Sequence, residues 1–143
     1  AFFETCDDVL ERNGLLVLQT IAIPENRHAR LLRRPDFIQK HVFPGSQLPS
    51  VASITGALSN TALSVQTLDE IGSHYVETLR RWRTRFLARR EEALSLGYSE
   101  RFLRLWEYYF AYCEGGFFAR YVKDVQMVLV RPGPCFERGR GVK

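Results

Sequence analysis

Leu15-Leu-Val-Leu-Gln-Thr-Ile-Ala-Ile23 decides the fold. Its unbroken apolar start, Leu15 to Leu18, lies between Asn13-Gly14 on one side and Pro24 on the other, and this is strand length between turn signals. A run without polar alternation suits a strand buried on both faces, as in a parallel sheet. Upstream, Phe2, Phe3, Cys6, Val9 and Leu10 recur at helical spacing before the Asn13-Gly14 stop. Downstream, a polar, Arg-rich connection over residues 25–34 leads to a short helix over 35–42 with Asp36 in its first turn.

Phe43-Pro-Gly-Ser-Gln-Leu-Pro-Ser50 is a rigid loop in which two prolines fix φ and Gly45 is free to take the left-handed region. Ser50 is the expected N-cap of a helix carrying Val51, Ile54 and Leu58 inward. Residues 62–68 alternate as a strand does. Two long helices follow. Tyr75, Leu79, Trp82, Phe86 and Ala93 mark the apolar face of the first, which Gly97 stops, and the second runs from Ser99 to about Gly115 with Phe102, Trp106, Tyr109 and Phe110 on a broad apolar face. Val125 to Val130 is the last strand, and a Gly/Arg-rich tail over 133–143 is expected to be loose.

The order α-β-α-α-β-α-α-β points to an α/β sheet. About three strands with flanking helices are too few to cover a strand that is apolar on both faces, so the chain reads as part of a larger sheet. With 143 residues, 45% hydrophobic and 25% charged, it is neither disordered nor a disulfide miniprotein, and no run approaches the length of a spanning helix. Cys6, Cys113 and Cys135 are an odd number without a CxxC pattern, which fits a reducing compartment, cytoplasmic or organellar, better than a disulfide framework or a zinc site.

The formal net charge is +4, with Arg80, Arg81, Arg83, Arg85, Arg89 and Arg90 close together. Such a stripe can dock on anionic lipid, but Glu77, Glu91 and Glu92 lie at salt-bridging spacings, which favours a solvated helix face. No nucleic-acid partner is expected, because the aromatics fall on the opposite face and no reading module is present. Ligands of open α/β sheets bind beyond the carboxyl ends of the strands, so Gln19, Thr20, Ile21 and Ala22 should line any site. No phosphate-binding glycine loop, Ser/His/Asp order or HExxH motif is present, and His28, His41 and His74 are scattered.

Four stretches in fixed order carry a resemblance: Asn13-Gly-Leu-Leu-Val-Leu-Gln-Thr-Ile21, Phe43 to Ser50, His74-Tyr-Val-Glu-Thr-Leu-Arg-Arg-Trp82, and Trp106-Glu-Tyr-Tyr-Phe-Ala-Tyr-Cys113 followed by Gly116-Phe117. Over about residues 2 to 132 the chain resembles the C-terminal part of cyclopropane-fatty-acyl-phospholipid synthases, which are S-adenosylmethionine-dependent methyltransferases. The Leu-Gln strand ending, the Ile23-Pro24-Glu25 turn and the Trp-Glu-Tyr-Tyr-Phe run look most like the plant-type branch.

The resemblance implies the C-terminal part, residues 1–132, of a Rossmann-like class I methyltransferase domain. It also implies methyl transfer from S-adenosylmethionine to a cis double bond of a phospholipid acyl chain, with bicarbonate as the base. Carried over by position, Tyr109 and Ile21 correspond to bicarbonate-site residues, and Gln19 stands where bacterial members have a histidine. Glutamine cannot titrate near neutrality but can hold an anion through hydrogen bonds. The glycine-rich cofactor loop and further bicarbonate ligands would lie upstream, so no cofactor is expected to bind this chain alone. Two roles follow from the resemblance. One is the acyl-substrate side of a methyltransferase completed by a missing N-terminal half or a partner chain, with a phospholipid acyl chain or membrane surface as its substrate side. The other is an inactive remnant kept as an accessory subunit.

Overall fold

The computed structural model describes residues 1–133. The elements are α1 (Phe2–Val9), β1 (Leu16–Ala22), α2 (Glu25–Arg33), α3 (Phe37–His41), α4 (Val51–Gly56), β2 (Ser64–Glu70), α5 (Gly72–Ala88), α6 (Arg90–Ser95), α7 (Glu100–Phe118) and β3 (Lys123–Val130). The strands form a sheet in the order β1-β3-β2. Both β1 and β2 pair with β3 antiparallel, so they run parallel to one another on either side of it.

The expectation of a doubly buried strand in a parallel sheet is therefore corrected for β1. Its partner within the chain is antiparallel, and its burial alternates, with Val17 66% exposed while Leu16 and Leu18 turn inward. Residues directly opposite each other share a sheet face. Leu16 with Leu129, Leu18 with Met127 and Thr20 with Val125 thus define one face. Ile54, Leu58 and Leu63 close the core on that face, with Phe3, Leu10 and Val51 at its margin. Burying such aliphatic side chains contributes about 1.5–3 kcal/mol each.

Val17, Gln19 and Ile21, opposite Val128, Gln126 and Asp124, define the second face. Here α5 and α7 pack on each other, the Phe86 and Phe110 rings meeting edge to face at 5.6 Å, and Leu79 of α5 and Leu103 of α7 are buried. Trp82, expected to point inward, is 47% exposed.

Capping follows the sequence closely. Ser50 accepts from Ser53 N–H at the start of α4, and Ser99 accepts from Phe102 N–H at the start of α7. Asp36 is itself the N-cap of α3 rather than a first-turn residue, and forms a capping box with Gln39. Gly45 and Gly97 have φ of +84° and +91°, the left-handed region that each loop reading required.

Two corrections concern helices. The polar connection after Pro24 is helix α2, oriented with Glu25 in its first turn and Arg30 and Arg33 in its last, complementing the helix dipole. The helix expected to run unbroken to Gly97 is interrupted at Arg89, whose ψ of 22° separates α5 from α6. The expected tail lies, from residue 134 onward, outside the described residues.

Candidate functional site at the carboxyl end of β1

Gln19 projects from β1 onto the α5 face of the sheet, and its amide joins three elements. Nε2 donates to the Tyr75 hydroxyl of α5 at 2.8 Å and to Asp124 Oδ2 of β3 at 2.9 Å. Its Oε1 accepts from Gln126 Nε2 at 2.9 Å. The reverse orientation of the amide would set Oε1 against the Asp124 carboxylate, acceptor on acceptor. Asp124 therefore decides which way Gln19 faces.

Asp124 is 1% exposed, and its Oδ1 has no hydrogen-bond partner. A buried carboxylate with one oxygen unsatisfied is costly to maintain. Gly72 makes the close approach feasible: a Cβ there would lie 3.0 Å from the Asp124 backbone nitrogen and 3.2 Å from Phe117 Cδ1. The Tyr75 ring stacks on Phe117 with centroids 5.3 Å apart. Burial, and next the charge of Asp124, raise the Tyr75 phenol above its ordinary value of 10.0.

Gln19, Ile21 and Gln126 are exposed, whereas Asp124 is buried. Of the residues expected at the site, Gln19 and Ile21 thus share one face, Ile21 being paired directly with Asp124. Tyr109 sits in an aromatic layer, with its ring 6.0 Å from Phe43 and 5.1 Å from Trp106. Burial, then Cys113 one turn on, pushes its phenol up to about 12. The same burial pushes the Cys113 thiol up to about 11.

The tyrosine that meets Gln19 is Tyr75, which lies within the His74-to-Trp82 stretch but which periodicity assigned to helix packing. Asp124 was not singled out, because it precedes the apolar run that defined the last strand. Its position opposite Ile21 follows from the register alone.

A second aromatic group links α3 to α7. Phe37 meets Tyr108 edge to face at 4.6 Å, and Tyr112 donates to Asp36 Oδ2 at 3.3 Å. The arginine stripe is largely paired: Arg80 and Arg81 with Glu77, Arg80 and Arg83 with Glu114, Arg89 with Glu92, and Arg90 with Glu100. An apolar groove of about 320 Å³, bounded by Phe2, Phe3, Leu18 and Ile54, opens on the sheet face away from Gln19. Among the described residues no His/Cys/Asp/Glu group is arranged to hold a metal ion, and no helix is long and apolar enough to cross a membrane.

The family model described as mycolic acid cyclopropane synthetase matches residues 1–127. The chain belongs to this family. It is 38% identical over 136 residues to the tuberculostearic acid methyltransferase UfaA1 of Mycobacterium tuberculosis, covering 93% of this chain and 31% of that protein. It is 34% identical over 130 residues to the cyclopropane-fatty-acyl-phospholipid synthase of Escherichia coli K12, covering 91% of this chain and 32% of that one. Among solved structures, mycolic acid cyclopropane synthase CmaA1 in complex with SAH and CTAB superimposes with a TM-score of 0.79 at 26% identity, covering 90% of this chain and 48% of that one.

The fold is thus that of part of a cyclopropane synthase such as CmaA1. The chain spans about a third of the length of these two curated relatives.

Proposed function

We propose that the chain forms the acyl-substrate side of a methyltransferase that moves a methyl group from S-adenosylmethionine to the double bond of an unsaturated phospholipid acyl chain. The observation that carries this reading is the polar cluster of Gln19, Tyr75 and Asp124 at the carboxyl end of β1, where an α/β sheet of this kind binds its ligand. The sulfonium cofactor supplies an electrophilic methyl group when bound. An alkene is a weak nucleophile, and its alkylation generates positive charge on carbon. That charge would be discharged by loss of a proton to a base, the part the resemblance assigns to bicarbonate, and the chain's own contribution is the polar cluster of Gln19, Tyr75 and Asp124 and the aromatic layer around Tyr109.

Within this reading Tyr75 is the tyrosine that acts with Gln19, supported by the direct bond between them, and Tyr109 belongs to the aromatic wall. The cofactor loop would belong to a segment upstream of Ala1 or to a partner chain. Pairing of the arginine stripe with Glu77, Glu92, Glu100 and Glu114 offsets much of its charge, which argues against docking on nucleic acid and favours a solvated helix face.

Reconstitution tests it. The chain is combined with an upstream half carrying a glycine-rich cofactor loop, and labelled methyl incorporation into vesicles of cis-unsaturated phospholipid is measured. Incorporation above either half alone is expected, and a folded pair that transfers nothing sinks the reading. An accessory, non-catalytic role is the second reading, favoured by exposed Val17 and Ile21 on the second face of the sheet and by the edge of β1 that no strand among the described residues pairs. It predicts a stable complex without methyl transfer.

A further inference from the structure

We propose that helix α2 and the turn between α7 and β3 together form a docking surface for an anionic lipid bilayer. The proposal deepens the phospholipid reading above and rests on it for its purpose, but its test does not depend on methyl transfer. Topology brings the two parts together. Helix α2 begins at Glu25, just after β1 ends at Ala22, and the register pairs Ala22 with Lys123 at the start of β3. The turn over residues 119–122 therefore reaches the same end of the sheet as α2. Arg27 of α2 sets its guanidinium carbon 4.4 Å from the centroid of the Tyr121 ring, a cation–π contact that holds the helix beside the turn.

Charge is the first ground. From residue 25 to residue 41, Arg27, Arg30, Arg33, Arg34 and Lys40 stand against Glu25 and Asp36. Both acids have other partners: Glu25 accepts from Ala52 N–H, and Asp36 accepts from Gln39 N–H and the Tyr112 hydroxyl. Unlike most arginines of α5, none of these cations forms an ion pair among the described residues, and neither does Arg120 of the turn. Arg30, Arg33 and Arg120 are exposed. Their charge is met by no carboxylate of the fold and is available to an anionic surface, where each is worth about fivefold in affinity.

Exposed apolar side chains among those cations are the second ground. Arg27, His28 and Leu31 are partly covered, so the outward side of α2 carries Arg30, Leu32 and Arg33 together. Leu32 is 51% exposed, and in the turn region Phe118 is 77% and Tyr121 44% exposed.

Cations beside exposed leucine and aromatic side chains match the headgroup layer of a bilayer: the guanidinium groups meet phosphates, and the apolar groups enter the acyl boundary. A nucleic acid would use the charges but leave Leu32 without a partner. The surface also lies at the carboxyl end of β1, the end that holds Gln19, so a chain leaving the bilayer there has a short path to the polar cluster.

The test is co-sedimentation of the full chain, alone and paired with an upstream half, with vesicles of phosphatidylcholine containing or lacking phosphatidylglycerol. Binding is expected only where phosphatidylglycerol is present. Arg30→Gln/Arg33→Gln/Arg120→Gly should weaken it by about 10²-fold. Arg120 has a φ of +50°, which glycine adopts at less cost, so this variant does not strain the turn. Arg81→Gln/Arg85→Gln/Arg89→Gln removes the same charge from α5 and should weaken binding by less than about threefold. Equal losses in the two variants would overturn the proposal, since binding would then follow net charge alone. No binding, equal binding to neutral vesicles, or loss of binding on pairing with the upstream half would overturn it too. Leu32→Ser/Phe118→Ser should weaken vesicle binding and leave heparin binding unchanged, whereas vesicle binding indifferent to this variant would mark a general polyanion site and sink the bilayer. Methyl transfer is not measured, so failure here is distinct from failure of the reconstituted pair.

Discussion

The Gln19 amide nitrogen donates to the Tyr75 hydroxyl at 2.8 Å, joining a strand residue to a helix residue 56 positions later. This bond sets Tyr75 apart from the other tyrosines of the chain. In the reconstituted enzyme Tyr75→Phe should lower methyl transfer by about 10²-fold, the effect of losing one well-placed dipole. Tyr109→Phe should lower it by less than about tenfold, because Tyr109 contributes packing and Phe keeps the ring. Turnover of both variants, compared with circular dichroism of each, checks the order.

Gly72→Ala has a sign opposite to its helix propensity. In an open helix the change would stabilise by up to about 1 kcal/mol. At Gly72 the new Cβ would meet the Asp124 nitrogen at 3.0 Å and Phe117 Cδ1 at 3.2 Å. The variant should therefore be less stable by about 1–3 kcal/mol, the range for overpacking, and denaturant unfolding measures it.

Arg131 anchors the first helix from the far end of the chain. Its guanidinium donates to Asp7 Oδ1 at 2.9 Å, to the carbonyls of Leu10 and Glu11 at 2.8 Å, and to the Asp7 carbonyl. Arg131→Ala leaves the half-buried Asp7 carboxylate and these carbonyls unmatched. A loss of about 2–3 kcal/mol is expected, with hydrogen exchange rising first in α1.

Alkaline pH should weaken the fold through the aromatic layer. Burial, followed by Cys113 for Tyr109 and by Asp36 for Tyr112, pushes both phenols from 10.0 up to about 12. The unfolded chain releases these protons near 10 while the folded chain keeps them, so their stabilising effect is complete below pH 10 and is lost as pH rises towards 12. The denaturant midpoint should fall over that interval, and a Tyr109→Phe/Tyr112→Phe variant should flatten the fall.

Local chemistry made much of this legible in the sequence. Ser50 and Ser99 announced their helices because a hydroxyl before an apolar period satisfies free N–H groups, and Gly45 and Gly97 announced their turns because few other residues accept positive φ. The direction of β1 was not legible. An apolar run records that both faces are suited to burial, but not which strand lies alongside. Helix α2 was hidden because its apolar content is low, and its termini are marked only by charge. The same limit applied to the site: Gln19 and Ile21 were found from the strand end, whereas Asp124 entered it through the β1–β3 register, which no local pattern encodes.

The sheet order β1-β3-β2 also has a consequence for synthesis on the ribosome. Among the described strands, the central one is the last to be made. Until Lys123 to Val130 has emerged from the exit tunnel, neither β1 nor β2 has its partner from this chain. The helices α5 and α7 can meet earlier, since their contacts are nearer in sequence. Cooperative closure of the sheet, and with it the seating of Asp124 behind Gln19, is therefore a late event in the life of the nascent polypeptide.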